Sequence, residues 1–275
     1  MKLSGVIVLT ALFAIISAAS ASEGKWFDRV MIVFFENAYY TTVLRNSIFS
    51  KTASLGSLLT NYKAITHPSQ PNYLATISGS FWKKNTDSSV SVSNTTIVDL
   101  LEAKGLSWRS YQEDFPGDCF KKDRYPYVRK HNPFMTFENI RESASRCANI
   151  VNADNLWKDV SEKNLPDYMF YTPNMRNDGH DTGITGASKF LDKFINQIQT
   201  SGFLTQGRNL IVLTFDEDDY QHTNQVYTVL LGSMIKPGTK DNNAYDHYSI
   251  LKTVQSNWDL PSLGRNDETA TTFKF

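Results

Sequence analysis

Short runs of apolar, strand-forming residues recur along this chain, and they restrict its possible folds more than any other feature. The four clearest runs are 29–35 (RVMIVFF), 167–172 (DYMFYT), 209–215 (NLIVLTF) and 226–232 (VYTVLLG). β-Branched and aromatic residues are typical of strands. Because polar residues hardly alternate with them, these runs indicate strands that are buried on both faces.

Helical patterns lie between these runs. Residues 95–104 place four apolar side chains on one side and precede Gly105, which suits a left-handed helix cap. Residues 187–198 repeat apolar side chains at helical spacing. The alternation predicts an α/β fold, with a mostly parallel central sheet and helices on both faces. In such sheets ligands bind beyond the carboxyl ends of the strands.

The first 21 residues have the pattern of a secretory signal. Lys2 precedes an apolar run from Val6 to Ile16, and small residues end the segment at Ala21. The run is shorter than the about 20 residues that a membrane-spanning helix needs, although an uncleaved anchor is the alternative. We therefore expect 1–21 to be a signal peptide and 22–275 to form a single domain that is secreted and extracellular.

Two further features bear on export. Cys119 and Cys147 are the only cysteines. In an exported protein such a pair most simply forms one disulfide, and two free buried thiols are the alternative. Asn94 begins the only N-x-S/T sequon, in a polar stretch that should be exposed. It would be glycosylated only on a eukaryotic secretion route.

The charge balance narrows the range of partners. Lysine plus arginine equal aspartate plus glutamate at 28 each, so no global field attracts nucleic acid. No stretch after Ala21 is long and apolar enough to cross a bilayer. We expect no nucleic-acid partner and no stable membrane insertion, and an anionic ligand must be held by local groups.

Residues whose side chains carry oxygen ligands directly follow the first and third of the apolar runs. These are Glu36-Asn37 and the start of an acidic stretch, Asp216-Glu217. Solvated loops would explain either pair alone. Carboxylates gathered at one sheet edge, however, need a metal ion or a proton to offset their repulsion. Together the two pairs predict a cation site.

Two histidines lie beside carboxylates in similar positions. The loop after the second run holds Asp178, His180 and Asp181, where a simple turn is the alternative to a metal or phosphate contact. Asp246-His247 precedes a helical stripe. If Asp246 caps that helix, His247 lies at a positive helix end that suits an anion.

The segment 67–74 (HPSQPNYL) places Ser69 between two prolines. Pro71 fits the first position of a helix with an apolar stripe behind it. Ser69 would then lie just before the helix, whose amides and dipole stabilise a developing anion. A serine that only caps the helix is the alternative.

Four cationic side chains lie near these motifs along the chain and could contact an anion: Lys63, His67, Arg109 and Arg176. For Lys63 and Arg109 a surface or core-edge position is the better interpretation. For His67 and Arg176 both interpretations stay open.

Taken in order, the motifs resemble the phosphoesterase family that contains fungal acid phosphatases and bacterial phospholipase C enzymes, within the alkaline phosphatase-like superfamily. The resemblance covers nearly the whole mature chain. Its five motifs are Glu36-Asn37, HPSQPNYLATISG (67–79), PNMRNDGHD (173–181), FDEDD (215–219) and DHYSILKTVQSNWDLPSLG (246–264).

The resemblance implies a nucleophilic serine at a metal centre and a transient phosphate ester of the enzyme. It makes Ser69 the nucleophile, with His180 and His247 as further catalytic candidates. The metal region that it assigns consists of Glu36, Asn37, Asp216 and Glu217. The second-metal or phosphate-contact region of two-metal relatives falls on Asp178, His180, Asp181 and His247.

The chain departs from the two-metal pattern at one point, since Asp216 is followed by glutamate where those relatives have histidine. An oxygen-only ligand set favours Mg²⁺, Mn²⁺ or Ca²⁺ over Zn²⁺, with one or two ions bound. The histidines are then alternatively direct contacts of the phosphate. As cations with an ordinary pKa of about 6.5, they would favour phosphate binding below neutrality.

These implications lead to an expected function. The chain should be a secreted, metal-dependent phosphoesterase, foremost an acid phosphatase that hydrolyses small phosphate monoesters through a phosphoserine. A phospholipase C-type phosphodiesterase and an inactive secreted binding protein of the same fold are the alternatives. A serine esterase is disfavoured because the G-x-S-x-G pattern is absent around Ser69.

Overall fold

The computed structural model describes residues 22–220 and 223–275. The predicted signal peptide, residues 1–21, and His222 lie outside the described residues. Among the residues that are described, no helix has both the length and the apolar character that crossing a bilayer requires.

The described part of the chain alternates strands and helices. The strands are β1 (Arg29–Phe35), β2 (Ser57–Leu59), β3 (Tyr62–Lys63), β4 (Trp108–Gln112), β5 (Ile150–Asn152), β6 (Tyr168–Thr172), β7 (Asn209–Phe215), β8 (Thr228–Gly232), β9 (Thr239–Asp241) and β10 (Tyr245–Asp246). The α-helices are α1 (Tyr40–Arg45), α2 (Ser47–Ser54), α3 (Ser69–Ser78), α4 (Ile97–Ala103), α5 (Glu138–Arg141), α6 (Ala144–Cys147), α7 (Asn155–Ser161), α8 (Gly183–Thr200) and α9 (His247–Asn257). Short 3₁₀ helices cover Arg129–His131 and Pro133–Thr136.

Eight strands form a central sheet in the order β5-β4-β6-β1-β7-β8-β2-β9, and β3 pairs with β10 separately. Strand β8 runs antiparallel to both of its neighbours, β7 and β2. The other pairs of the large sheet are parallel. The predicted α/β class with a mostly parallel sheet is therefore confirmed, and β8 is the exception.

Helices cover both faces of the sheet, as two consecutive residues of β1 show. Side chains of a strand alternate between the faces. The ring of Phe34 lies 4.7 Å from that of Tyr73 on α3, whereas the ring of Phe35 lies 5.5 Å from that of Phe49 on α2. Phe35 also contacts Phe190 on α8. Helix α3 thus lies on one face, and α2 and α8 lie on the other.

The predicted elements agree with the structure in most of their bounds. The runs 29–35 and 209–215 are β1 and β7 without a shift. Helix α8 begins at Gly183, four residues before the predicted start. Helix α3 begins at Ser69, so that Pro71 is the third helical residue and not the first. Proline is accepted there because the amides of the first turn have no partner within the helix.

The two covalent predictions lie on the surface of the fold. Cys119 and Cys147 form a disulfide, as expected. Asn94 is exposed in the loop before α4, so its position is compatible with glycosylation.

A buried carboxylate, that of Asp267, fixes the C-terminal segment and joins it to α9. It accepts hydrogen bonds from Gln255 Nε2 (2.8 Å), Ser262 Oγ (2.7 Å) and two backbone amides. The neighbouring Asn266 amide bonds the carbonyl of Gly79, which ends α3 with φ +69°. Burial alone would raise the pKa of Asp267, but these donors lower it below its ordinary value.

We expect Asp267→Asn to lower the free energy of unfolding by about 2–4 kcal/mol at neutral pH, because an amide cannot accept the same four hydrogen bonds. The folded pKa of Asp267 is depressed, so its stabilisation is complete above the unfolded pKa of about 3.9 and is lost as pH falls through the folded value. Unfolding measured from neutral to acid pH should show the two proteins converging at low pH. A constant difference at every pH would contradict this.

Candidate active site

Three neighbouring strands bring their following residues to one edge of the sheet. Strand β1 lies between β6 and β7, with Phe35 level with Phe215. The backbone ladder continues past the strand ends, because the Asp216 amide donates to the Phe35 carbonyl and the Glu36 amide to the Asp178 carbonyl, both at 3.0 Å. Glu36, Asp178 and Asp216 are therefore neighbours.

The alternation of side chains directs these acids to the α3 face. Glu36 is two residues after Phe34 and so points to the same side of the sheet as Phe34, towards Tyr73. The Tyr73 hydroxyl donates a hydrogen bond to Glu36 Oε1. The acids thus face the first turn of α3.

Ser69, the first residue of α3, lies between the carboxylates of Glu36 and Glu217. Its Oγ is 3.0 Å from Glu36 Oε2 and 3.0 Å from Glu217 Oε1. Ser69, Glu36 and Glu217 are all buried. Residues from three distant parts of the chain therefore meet at one hydroxyl.

The turn before α3 is fixed by Asn72. Its side-chain oxygen accepts from the amides of Ile65 (2.9 Å) and Thr66 (3.2 Å), and its amide donates to the Thr66 carbonyl (2.8 Å). Pro68 follows in extended conformation as the residue before the helix. This pinned turn sets the position of Ser69.

Asp216 shows the strongest sign of a cation site. Its side chain is fully buried, and neither carboxylate oxygen has a hydrogen-bond partner among the described residues. Burial, followed by the negative charges of Glu36 and Glu217, raises its pKa well above the ordinary value, and the nearby Ser69 hydroxyl and Glu217 amide offset only part of this rise. Buried oxygens without donors suit a metal ion. The oxygen of Asn37 is likewise buried and has no partner within the described ranges.

Glu217 links Ser69 to the rim of the site. Its oxygens accept from Asn37 Nδ2 at 3.2 Å and contact the ring of His67. Burial and the charge of Glu36 raise the pKa of Glu217 to about 8. His67 also lies 3.4 Å from Asp218 and stacks on the ring of Tyr220 at 4.1 Å. His67 therefore lies beside the acids of the site, and its contact with an anion stays a prediction.

His131 is a site residue that the sequence reasoning missed. It is buried, with Nε2 3.2 Å from Glu36 and Nδ1 3.5 Å from Asp178. Burial lowers its pKa, but the two carboxylates outweigh this and raise it to about 9. For Glu36 the two effects have the opposite sign. Burial raises its pKa, but the charge and the hydrogen bond of His131 outweigh burial and lower the pKa to about 2.

Glu36, His131 and Asp178 offer ligand atoms that all lie within 4.8 Å of one another, so this group could bind a metal ion. The sequence expectation placed a second ion on Asp178, His180, Asp181 and His247. The structure brings only Asp178 of that set to the buried group. The histidine that contacts Asp178 is His131. It lies in a segment without strands, so a search of the residues after strand ends could not predict it.

His180 and Asp181 lie at the rim instead. His180 Nδ1 is 2.9 Å from Asp181 Oδ1, and both side chains are about one third exposed. Asp181 accepts a hydrogen bond from Tyr125, whose ring stacks under Arg176 at 5.1 Å. The ring of His180 lies 6.4 Å from that of His131. His180 is thus an accessible imidazole beside the buried group.

His247 does not take the position expected of a phosphate contact. Asp246 caps α9 as predicted, with its carboxylate 3.1 Å from the Ser249 amide. The ring of His247, however, is fully buried, with Nδ1 2.9 Å from the Tyr62 hydroxyl and Nε2 2.7 Å from the Asp216 carbonyl. Burial lowers its pKa to about 4, so it is neutral at neutral pH. Its role is to hold the Asp216 backbone in place through the hydrogen bond to the carbonyl.

Two of the other cations lie where the sequence suggested. Arg109 on β4 is partly exposed and pairs with the buried Asp159 of α7, and Lys63 is exposed on β3. Arg176 is exposed at the rim on Tyr125.

Sequence comparison finds relatives along most of this chain. A "Probable acid phosphatase" of Kluyveromyces lactis is 42% identical over 274 residues, covering 91% of this chain and 65% of that protein. The chain thus spans slightly less than two thirds of this relative. A "Phosphatidylinositol-3-phosphatase" of Mycobacterium tuberculosis is 30% identical, covering 89% of this chain and 81% of that protein.

The fold has counterparts among solved structures. An alkaline phosphatase superfamily protein of Vibrio parahaemolyticus superposes with a TM-score of 0.63 at 12% identity, over 92% of this chain and 72% of that one. The predicted alkaline phosphatase-like fold is therefore confirmed. The model of the Phosphoesterase family matches residues 19–261. This match and the similarity to the relatives above show that the chain belongs to the Phosphoesterase family.

Proposed function

We propose that this protein is a metal-dependent acid phosphatase that hydrolyses small phosphate monoesters through a phosphoserine at Ser69. The observation that carries the proposal is the position of Ser69 Oγ, 3.0 Å from the buried carboxylates of both Glu36 and Glu217. A hydroxyl between two carboxylates is set up to lose its proton when it attacks phosphorus.

The side chains that would hold the metal are Glu36, Asn37, Asp216 and Glu217. A bound divalent ion would favour the ionised form of the serine hydroxyl and offset the charge of the phosphate oxygens. The partnerless oxygens of Asp216 and Asn37 support this assignment. Because all four side chains offer oxygen, we propose Mg²⁺, Mn²⁺ or Ca²⁺ over Zn²⁺. The nearby group with His131 leaves room for one or two ions.

The residues then divide the reaction as follows. Ser69 Oγ bonds to phosphorus while the bond from phosphorus to the ester oxygen breaks. The serine proton passes to Glu217, because the low pKa of Glu36 makes that carboxylate the weaker base. The leaving alcohol takes up a proton, for which the exposed imidazole of His180 is our candidate donor. A water oxygen then bonds to phosphorus while the bond from phosphorus to Ser69 Oγ breaks. Ser69 Oγ takes back the proton held by Glu217, and inorganic phosphate leaves.

Two finer parts of the proposal have separate support. The name of the Kluyveromyces lactis relative supports an acid phosphatase. The ring of His247 is buried and neutral, so it does not bind phosphate as a cation. An acid optimum can therefore not be derived from His247. The predicted signal segment, the disulfide and the exposed Asn94 support export to the extracellular space.

The proposal is tested by metal removal followed by a substrate panel. The chelated protein should lose at least about 100-fold in hydrolysis of an aryl phosphate, and Mg²⁺ or Mn²⁺ should restore it. Turnover should be faster on the monoester than on a phosphodiester or a phosphoinositide vesicle. Preference for a phospholipid diester would favour a phospholipase C-type enzyme, and no phosphate release under any condition would favour an inactive binding protein.

A further inference from the structure

Lys130 is a cation at the site that no part of the proposed mechanism uses. It lies in the 3₁₀ helix Arg129–His131, one residue before the His131 that contacts Glu36. Its ammonium forms an ion pair with Asp87 at 3.0 Å, and its side chain is only 18% exposed. Most of this charged side chain is therefore shielded from solvent, which is uncommon for a lysine.

Asp87 joins this ammonium to the residue next to Ser69. One carboxylate oxygen accepts from Lys130 Nζ at 3.0 Å, and the other accepts from the backbone amide of Gln70 at 3.0 Å. Lys130 Nζ is therefore separated from the first turn of α3 by a single carboxylate group.

Both sides of this bridge are fixed. The side chain of Gln70 donates to the carbonyls of Thr86 (2.9 Å) and Ser88 (2.8 Å), so the loop that carries Asp87 is clamped to α3. Arg129 donates to the carbonyls of Val90 (3.0 Å) and Met135 (2.8 Å), which fixes the 3₁₀ helix. The ammonium is held in place from two directions.

The ammonium of Lys130 interacts electrostatically with three carboxylates of the site. Two of them, Glu36 and Asp216, are buried, and the third, Asp181, lies at the rim. Asp87 is the one hydrogen-bond partner of the ammonium among the described residues, and an ammonium has three N–H donors. Two N–H donors of Lys130 therefore remain for a ligand.

The charge balance of the reaction calls for such a donor. The site holds four buried carboxylates, those of Glu36, Asp178, Asp216 and Glu217, whereas one divalent ion and the cationic His131 supply three positive charges. A phosphate monoester brings about two further negative charges at neutral pH. A substrate would be repelled unless cations of the protein meet its outer oxygens.

We propose that Lys130 binds a non-bridging oxygen of the substrate phosphate, and that Asp87 is the positioning residue that holds the ammonium beside Ser69. The inference rests on the proposed function for its substrate, a phosphate monoester. It adds a recognition residue outside the metal region, on the segment that strand-end reasoning did not reach.

The test is the affinity for inorganic phosphate, measured by calorimetry on the metal-loaded protein, together with KM and kcat for an aryl phosphate. Lys130→Met should weaken phosphate binding and raise KM by about 10- to 100-fold, the loss expected for a hydrogen bond between charged groups. Lys130→Arg should recover most of the affinity. Asp87→Asn should raise KM several-fold and change kcat less.

Lys121→Met is the matched control, because Lys121 also pairs with a carboxylate, that of Glu142, but on the open surface. It should leave phosphate affinity unchanged. Melting curves report folding, and Lys130→Gln serves as the second uncharged variant if Lys130→Met does not fold. Phosphate affinity equal to wild type in a folded, uncharged variant would overturn the proposal, as would a wild-type protein that binds no phosphate.

The two proposals fail separately. If the wild type binds phosphate through Lys130 but hydrolyses no monoester, the proposed function falls and the phosphate site stands. If the wild type is an active phosphatase and Lys130→Met binds phosphate normally, the site falls and the function stands.

Discussion

Replacing Ser69 with alanine should lower the turnover of phosphate monoesters by at least about 1,000-fold while the protein stays folded. The hydroxyl is the one group at the helix start that both Glu36 and Glu217 contact, so no neighbouring side chain can take over its attack. Steady-state rates on an aryl phosphate, with melting curves for each protein, measure this effect.

Ser78→Ala is the matched control, since Ser78 is a buried serine at the other end of the same helix. Its hydroxyl donates to the Leu74 carbonyl at 2.7 Å and accepts from Trp82 Nε1 at 3.0 Å, at the end of the helix opposite the acids. We expect it to lose about 1 kcal/mol of stability and little activity. If Ser69→Ala kept more than a tenth of the wild-type rate, Ser69 would not be the nucleophile.

Asp216→Asn should separate activity from stability. We expect at least a roughly 100-fold loss of activity and weaker metal binding, because a carboxylate of the metal region is lost. In the chelated protein the same substitution should raise the free energy of unfolding by about 1–3 kcal/mol, because a buried carboxylate without donors beside Glu36 and Glu217 is removed. Chemical unfolding with and without metal measures both.

Asp267→Asn provides the contrast, because Asp267 is equally buried but accepts four hydrogen bonds. The two substitutions should change the stability of the chelated protein in opposite directions. Destabilisation by Asp216→Asn of the metal-free protein would mean that Asp216 has a structural partner, and the cation site would lose its main support.

The centre of the fold could be predicted because its physical signal is local. Continuous apolar runs specify β1 and β7 to the residue, and two acids that follow such strands must meet if the strands are parallel neighbours. The alternation of side chains then places Glu36 and Asp216 on the face of α3. Ser69 followed from the proline-bounded helix start.

The remaining site residues depend on tertiary packing that leaves no local pattern. His131 and Lys130 lie between β4 and β5 in a segment of turns and short 3₁₀ helices, which has no periodicity to indicate where a side chain points. His247 shows the same limit in reverse. Its place at a helix start was right, but the direction of its ring is set by Tyr62 on the short strand β3.

Ser69 should carry the phosphoryl group during turnover. The direct measurement is rapid acid quenching of the metal-loaded enzyme during hydrolysis of an aryl phosphate, followed by peptide mass spectrometry. We predict phosphate on the peptide that contains Ser69, absent from the Ser69→Ala protein and present in Ser78→Ala. Fast turnover with no phosphate on Ser69 at any quench time, or with phosphate on another residue, would contradict the account.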